Sequence, residues 1–258
     1  MTNLQLLRKR RPLVHCIGND ISTNPTANLL LATGARPIMT FAPQEAEEIS
    51  RRCTATSINC GTPTQEKFDG LIAAAKGRQA HILIIDPVGA GASRWRKANI
   101  ERLLAKTDVS VIHCNFSEGL ALAGSNRKFE GVDSTDNRLQ IKIATAKAVA
   151  EKYNCTVVMT GEKDIVTDSK KTVVVSGGNS MMSLVSGSGC MLSGLLGAFC
   201  AVSPTVFDGA VSASKFWKKV AEKSAVTARA PGSFAMALTD NAYLIKPEEL
   251  EEITVENY

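Results

Sequence analysis

Aromatic side chains are scarce, 5% of the 258 residues, and none interleaves with a basic stripe. Without stacking platforms along a cationic track, nucleic acid is not an expected partner. Histidine is scarcer still. His15, His81 and His113 stand at no metal-ligand spacing, and His81 reads as structural. No stretch carries the ~18 consecutive apolar residues of a membrane span, and the N-terminus lacks the charged-then-apolar order of a signal peptide. These absences predict a cytoplasmic protein with no membrane partner. Seven cysteines, an odd count with no Cys-x-x-Cys pair, fit neither a disulfide framework nor a zinc ribbon. Most read as reduced, buried thiols. Linkers, repeats and low-complexity tracts are missing too, so 1–258 reads as a single domain.

What is present suits a globule, with 44% apolar residues and a net charge of only +5. The one dense basic run, Arg8-Lys9-Arg10-Arg11 before Pro12, reads as the solvated end of a short N-terminal helix. Short aliphatic or β-branched runs recur at 36–39, 56–59, 81–85, 109–112, 155–159 and 171–175. Several are near-continuously apolar, as strands covered on both faces are. Between them lie helix-length segments at 25–32, 65–76, 97–105 and 139–152. The alternation predicts a layered α/β fold with a mostly parallel sheet. After Val185 the pattern turns helical, which predicts that the last third packs against the sheet rather than extending it.

Ligands of open α/β sheets sit beyond the carboxyl ends of the strands, so loops there become candidates. Asp86-Pro87-Val88-Gly89 ends one apolar run with a carboxylate: a capped turn, or a ligand for magnesium or phosphate. Asn115-Phe116-Ser117-Glu118 has capping-box spacing, and a helix start can also aim a carboxylate at a phosphate-bound metal. Thr160-Gly161-Glu162-Lys163-Asp164 makes either an ordinary hairpin turn or a phosphate contact. The fourth loop, Val185-Ser186-Gly187-Ser188-Gly189-Cys190, runs into a long apolar helix whose first free amides would form an anion cradle. A tight turn with a buried structural cysteine would have the same letters. The polar segment 15–28 is a plain asparagine-rich loop or the lining of a small pocket closed by Met39.

Taken in order, several segments resemble the hydroxyethylthiazole kinases, a thiamine-salvage family of the ribokinase-like superfamily. They are Pro12-Leu13-Val14-His15-Cys16-Ile17 with Asn19, the run from Thr26-Ala27-Asn28 to Pro37-Ile38-Met39, Asp86-Pro87-Val88-Gly89, Asn115 with Glu118, Thr160-Gly161-Glu162, the glycine–cysteine loop, and Pro231-Gly232-Ser233-Phe234. Each is weak alone, whereas the ordered set, spanning residues 12–234, is specific. The resemblance implies a three-layer ribokinase-like fold and transfer of the γ-phosphoryl group of ATP to the alcohol of 4-methyl-5-(2-hydroxyethyl)thiazole.

It implies further that Asn19, Ile21 and Met39 line the thiazole pocket and that Gly187 contacts substrate. ATP would meet His113, Asn115, Thr160 and Gly189, and Mg2+ would be held by Asp86 and Glu118, directly or through water. Cys190 would stand where the wider superfamily has an aspartate that accepts the alcohol proton. A homotrimer with sites between subunits is implied as well. One departure is plain: His113-Cys114 replaces the family's usual Arg-Gly, putting an imidazole where a permanent cation meets phosphate. Two alternatives follow, a binding protein with little catalysis, or a kinase of a pyrimidine or pyridoxal alcohol.

Overall fold

The structure is a computed structural model that describes residues 1–77, 82–124 and 135–258. Among these residues a single sheet runs in the order β2-β1-β3-β4-β5-β6-β7-β8-β9. Its first six strands, β1 (Leu13–Ile17), β2 (Arg36–Thr40), β3 (Ala55–Asn59), β4 (Ile82–Asp86), β5 (Val111–Asn115) and β6 (Thr156–Thr160), are parallel. Strands β7 (Asp164–Thr167), β8 (Thr172–Val175) and β9 (Val255–Asn257) continue it antiparallel. His81 falls outside the described residues.

Side chains of successive strand residues point to opposite faces, and the two faces carry separate cores. Val14, Ala55, Ile84, Val111 and Val158 pack beneath α1 (Asn3–Arg10), α2 (Thr23–Thr33), α8 (Ser188–Cys200), α9 (Val206–Thr227) and α10 (Pro231–Leu244). Ile58, Leu83, Ile85, Ile112 and Val157 pack beneath α3 (Pro43–Arg52), α4 (Gln65–Lys76), α5 (Arg94–Leu104) and α7 (Thr135–Tyr153). A sheet buried on both faces explains the continuous apolar runs of the central strands. Helix α8 is buried from Met191 to Cys200, with Phe199 against Phe216 of α9 at a ring separation of 5.3 Å. Such burial explains a helix with almost no polar face.

The expectation that the last third adds nothing to the sheet is corrected at one point. Helices α8 to α10 do pack on one face, but the chain then returns through β9, whose Val255 pairs with Val175 at the sheet's edge. The basic run at the end of α1 does more than meet solvent, because the Arg8 guanidinium donates to the Ala242 and Tyr243 carbonyls that end α10. A cation there satisfies helix carbonyls that have no partner within the helix.

One topological feature positions the site. From β1 the chain crosses to β2 on one side and then to β3 on the other, so the connections diverge between β1 and β3. Such a divergence opens a crevice at the carboxyl ends of the strands.

Candidate active site

Asn19 follows β1 and Asn59 ends β3, placing both asparagines at that crevice. Gly18 joins them at φ 130°, where an added Cβ would stand 1.8 Å from the Asn59 carbonyl oxygen. Only glycine lets the two backbones come so close. The crevice holds a space of about 20 Å³ lined by Cys16, Asn19, Ser22, Met39, Asn59 and Cys190, among others. That is room for about one water, so a ring-sized molecule would occupy the open mouth above it. Ile21 lies outside this lining and is 62% exposed. His15, fully buried, spends both ring nitrogens on the hydroxyls of Ser50 and Thr40 and has a structural role.

Cys190 enters the crevice from the first turn of α8. Its thiol accepts from Asn19 Nδ2 at 3.4 Å. Burial pushes its pKa up and the Asp86 charge adds to this, while Asn59, Ser22 and Asn19 work the other way. The thiol therefore stays protonated at neutral pH. The N-cap of α8 is Gly187 at φ 81°, with no side chain capping the helix. Space beside Gly189 is open, with nothing within 4 Å of where a Cβ would be. The uncapped, positive helix end thus faces a free volume, as an anion cradle requires. Ser188 is turned away, its hydroxyl donating to the Met182 carbonyl at 2.8 Å.

Asp86 ends β4 deep in the site at 4% exposure. Its Oδ2 accepts from Asn59 Nδ2 and from Ser193 Oγ, both at 2.8 Å. Ser193 has one proton to give, so the 2.7 Å contact between His113 Nδ1 and Ser193 Oγ is donated by the imidazole. A relay from His113 through Ser193 to Asp86 results. The direct separation of His113 Nδ1 from Asp86 Oδ2 is 3.6 Å, too long for a hydrogen bond. The opposite ring nitrogen, Nε2, is buried without a partner among the described residues. Burial pushes the His113 pKa down, but the Asp86, Glu118 and Asp164 carboxylates outweigh it and raise the value. His113, at 3% exposure, is thus linked to Asp86 through Ser193.

Glu118 faces the same region from α6 (Phe116–Ala123), with the capping box formed as its spacing predicts. Its Oε1 accepts from the Gly89 amide at 2.8 Å and its Oε2 from the Asn115 amide at 2.9 Å. Burial raises its pKa against these donors, and Asp86 adds to the rise. Two carboxylates from separate elements therefore converge, each held from behind. Among the described residues no cluster of three or more metal-ligating side chains exists. This donor set fits a magnesium ion that arrives with a nucleotide, because that ion keeps waters and takes one or two carboxylates plus phosphate oxygens. Asn115 and Thr160 stand side by side at the ends of β5 and β6. Thr160 begins the β6–β7 hairpin, so that loop is the ordinary turn its letters allow, at a site-facing strand end.

Asn59, Ser193 and Arg96 join the site without a motif to mark them. Asn59 is a polar residue at the carboxyl end of a strand, as Asp86 is, and that position is its signal. Ser193 looked like one small residue in a buried helix. Arg96, whose Nη1 donates to the Val88 carbonyl at 2.9 Å, braces the loop after Asp86.

The sequence matches the hydroxyethylthiazole kinase family over residues 4–248. It is 39% identical over 252 residues to a hydroxyethylthiazole kinase of Pyrococcus furiosus, covering 97% of this chain and 94% of that one. A hydroxyethylthiazole kinase of a Thermoanaerobacter species is 37% identical over 253 residues, covering 96% of each. The solved structure of a hydroxyethylthiazole kinase protein from Pyrococcus horikoshii superposes with a TM-score of 0.91 at 34% identity, covering 99% of this chain and 97% of that one. A pyridoxal kinase from Staphylococcus aureus matches at a TM-score of 0.60 and 13% identity, over 82% of this chain and 88% of that one; it shares the fold.

Proposed function

The chain belongs to the hydroxyethylthiazole kinase family, and from that premise we propose how its own residues carry out the family's reaction at the ends of β1, β3, β4, β5 and β6. The reaction phosphorylates the hydroxyethyl side chain of the thiazole precursor of thiamine, with ATP as donor. The alcohol oxygen forms a bond to the γ-phosphorus, the bond from that phosphorus to the β-bridging oxygen breaks, and the alcohol proton passes to a phosphate oxygen or to water. Phosphoryl transfer asks a protein mainly for alignment and for donors aimed at the phosphoryl oxygens. The single observation that carries the reading is that Asp86 is tied both to Asn59 in the crevice wall and to Ser193 of α8, the helix whose uncapped first turn brings Cys190 into the same crevice.

Asn19, Met39 and Cys190 hold the thiazole beside that helix end, with the backbone at Gly187 in contact with it. The amides of the first turn of α8, including Gly189, receive the transferring phosphoryl group. Asn115 and Thr160 meet the rest of ATP, while His113 acts from below by orienting Asp86 through Ser193. Asp86 and Glu118 hold Mg2+, which when bound neutralises charge on the phosphate oxygens. Cys190, a protonated thiol, helps place the alcohol and takes little part in accepting its proton. The open mouth and exposed Ile21 are completed by a neighbouring copy in a homotrimer, and each copy is one domain built on one sheet. Among the described residues no helix is long and apolar enough to cross a membrane.

Asp86→Asn and Glu118→Gln test the metal assignment. Both should raise the Mg2+ concentration needed for half-maximal turnover by about tenfold or more. An unchanged magnesium dependence in both variants would remove these carboxylates from that role.

A further inference from the structure

Lys218 extends from α9 towards the β6–β7 hairpin with its side chain only 12% exposed. Its Nζ reaches the Gly161 carbonyl at 3.0 Å, the Glu162 carbonyl at 2.9 Å and Asp164 Oδ1 at 3.1 Å. Two carbonyl acceptors and one carboxylate thus surround the ammonium group, which is turned onto the hairpin rather than towards solvent. Asp164 Oδ1 also accepts the Gly161 amide at 3.1 Å, closing the turn from within. The lysine stem runs past Gly178, which has φ 89° and would place a Cβ 2.9 Å from Lys218 Cδ. One turn further along α9, Glu222 Oε1 accepts the Gly178 amide at 3.2 Å. The β8 exit and the β6–β7 turn are thus both shaped around α9.

The clamp reaches the turn from a separate element, and so adds to what the β6–β7 pairing and the internal Gly161–Asp164 bond already hold. Burying the Asp164 carboxyl is itself costly, and burial raises its pKa despite Lys218 and the Gly161 amide. The expense falls next to Thr160, the last residue of β6, whose neighbour across the ladder is Asn115. We propose that Lys218 is a positioning residue for the nucleotide: by pinning residues 161, 162 and 164 it fixes the Thr160 hydroxyl and the turn backbone against which ATP is placed. This inference rests on the reading of Thr160 as an ATP contact.

Lys218→Met tests it in the full-length protein, with Thr160→Ala beside it. A second variant, Lys218→Met with Asp164→Asn, removes both charges, so no unpaired carboxylate remains to unfold the chain. Steady-state kinetics for each substrate and calorimetric binding of ADP without metal are the readouts. Both Lys218 variants should raise the ATP KM and the ADP Kd by about tenfold, as displacement of a contact from afar does, and leave the thiazole KM within about twofold. A purely structural lysine would move both substrates together or neither, and either result overturns the proposal. Nucleotide weakening in Thr160→Ala with no change in the Lys218 variants defeats the clamp alone. No change in any variant defeats both the clamp and the placement of ATP. An effect confined to the Lys218 variants supports the clamp and moves the contact from the Thr160 hydroxyl to the turn backbone.

Discussion

At the scale of single residues the site is notable for what its polar groups hold in place. Asp86 is gripped by Asn59 and Ser193, and Ser193 by His113. Ser193→Ala would strip one donor from a buried carboxylate and leave His113 Nδ1 unpaired. The expected cost is about 1–3 kcal/mol of stability by urea unfolding, with turnover down about tenfold and the thiazole KM unchanged. Full stability and turnover in that variant would show that the relay has no role. Cys190 is a separate case. A thiol whose pKa is raised by burial and by Asp86 is a poor base at neutral pH. Cys190→Ala should therefore keep turnover within about tenfold of the parent, whereas loss of a true general base costs about 10²–10⁴. Kinetics at saturating substrates separate the two.

At the scale of elements, the approach of α8 to the loop after β1 is set by Gly187. Its φ of 81°, and the 2.9 Å from an added Cβ to Ser22 Cβ, make Gly187→Ala strained in two ways. A loss of about 1–3 kcal/mol is expected, together with a thiazole KM that rises more than the ATP KM; thermal unfolding and paired kinetics would show it. How legible the elements were follows from their burial. Strands β4 and β6 are readable because both their faces are covered and their letters run mostly apolar, whereas β3, Ala55-Thr56-Ser57-Ile58-Asn59, is marked by its β-branched residues. Strand β1 was read as part of a polar link because it carries His15 and Cys16, and the hydroxyls of Ser50 and Thr40 that satisfy His15 come from distant segments. Strands β7 and β9 escaped notice for other reasons. Asp164 made the start of β7 look like a turn, and β9 has three residues whose place is fixed by pairing with β8.

The loops at the strand ends are legible one by one, since Asp86 and Thr160 each follow an aliphatic run directly and Asn115 with Glu118 has capping-box spacing. Their convergence is not, because it depends on strand order. The position of His113 was least readable: nothing in His113-Cys114 says that Ser193, eighty residues on, turns the imidazole inward.

Across the whole molecule, the thiols give a pH dependence of stability with a definite sign. Burial pushes the Cys155 thiol up to about 12 and the Cys53 thiol up to about 11. Unfolded thiols ionise from about pH 8.5. Above that value the unfolded state has released protons that the native state retains, so stability falls as pH rises through the interval up to the native values. The urea midpoint should decline steadily above that pH, and Cys155→Ala should flatten the decline. A midpoint equally pH-dependent in that variant would exclude this thiol as a cause. The central claim concerns the whole molecule too: both cores, the divergent strands and the uncapped end of α8 serve one phosphoryl transfer to a thiazole alcohol. The most direct measurement gives hydroxyethylthiazole, hydroxymethylpyrimidine and pyridoxal in turn, with ATP labelled at the γ-phosphate, and follows label into each acceptor with and without magnesium. Magnesium-dependent transfer to hydroxyethylthiazole, far exceeding transfer to the other two, is expected. Saturable thiazole binding with no label transferred, or preferred transfer to another alcohol, would contradict the claim.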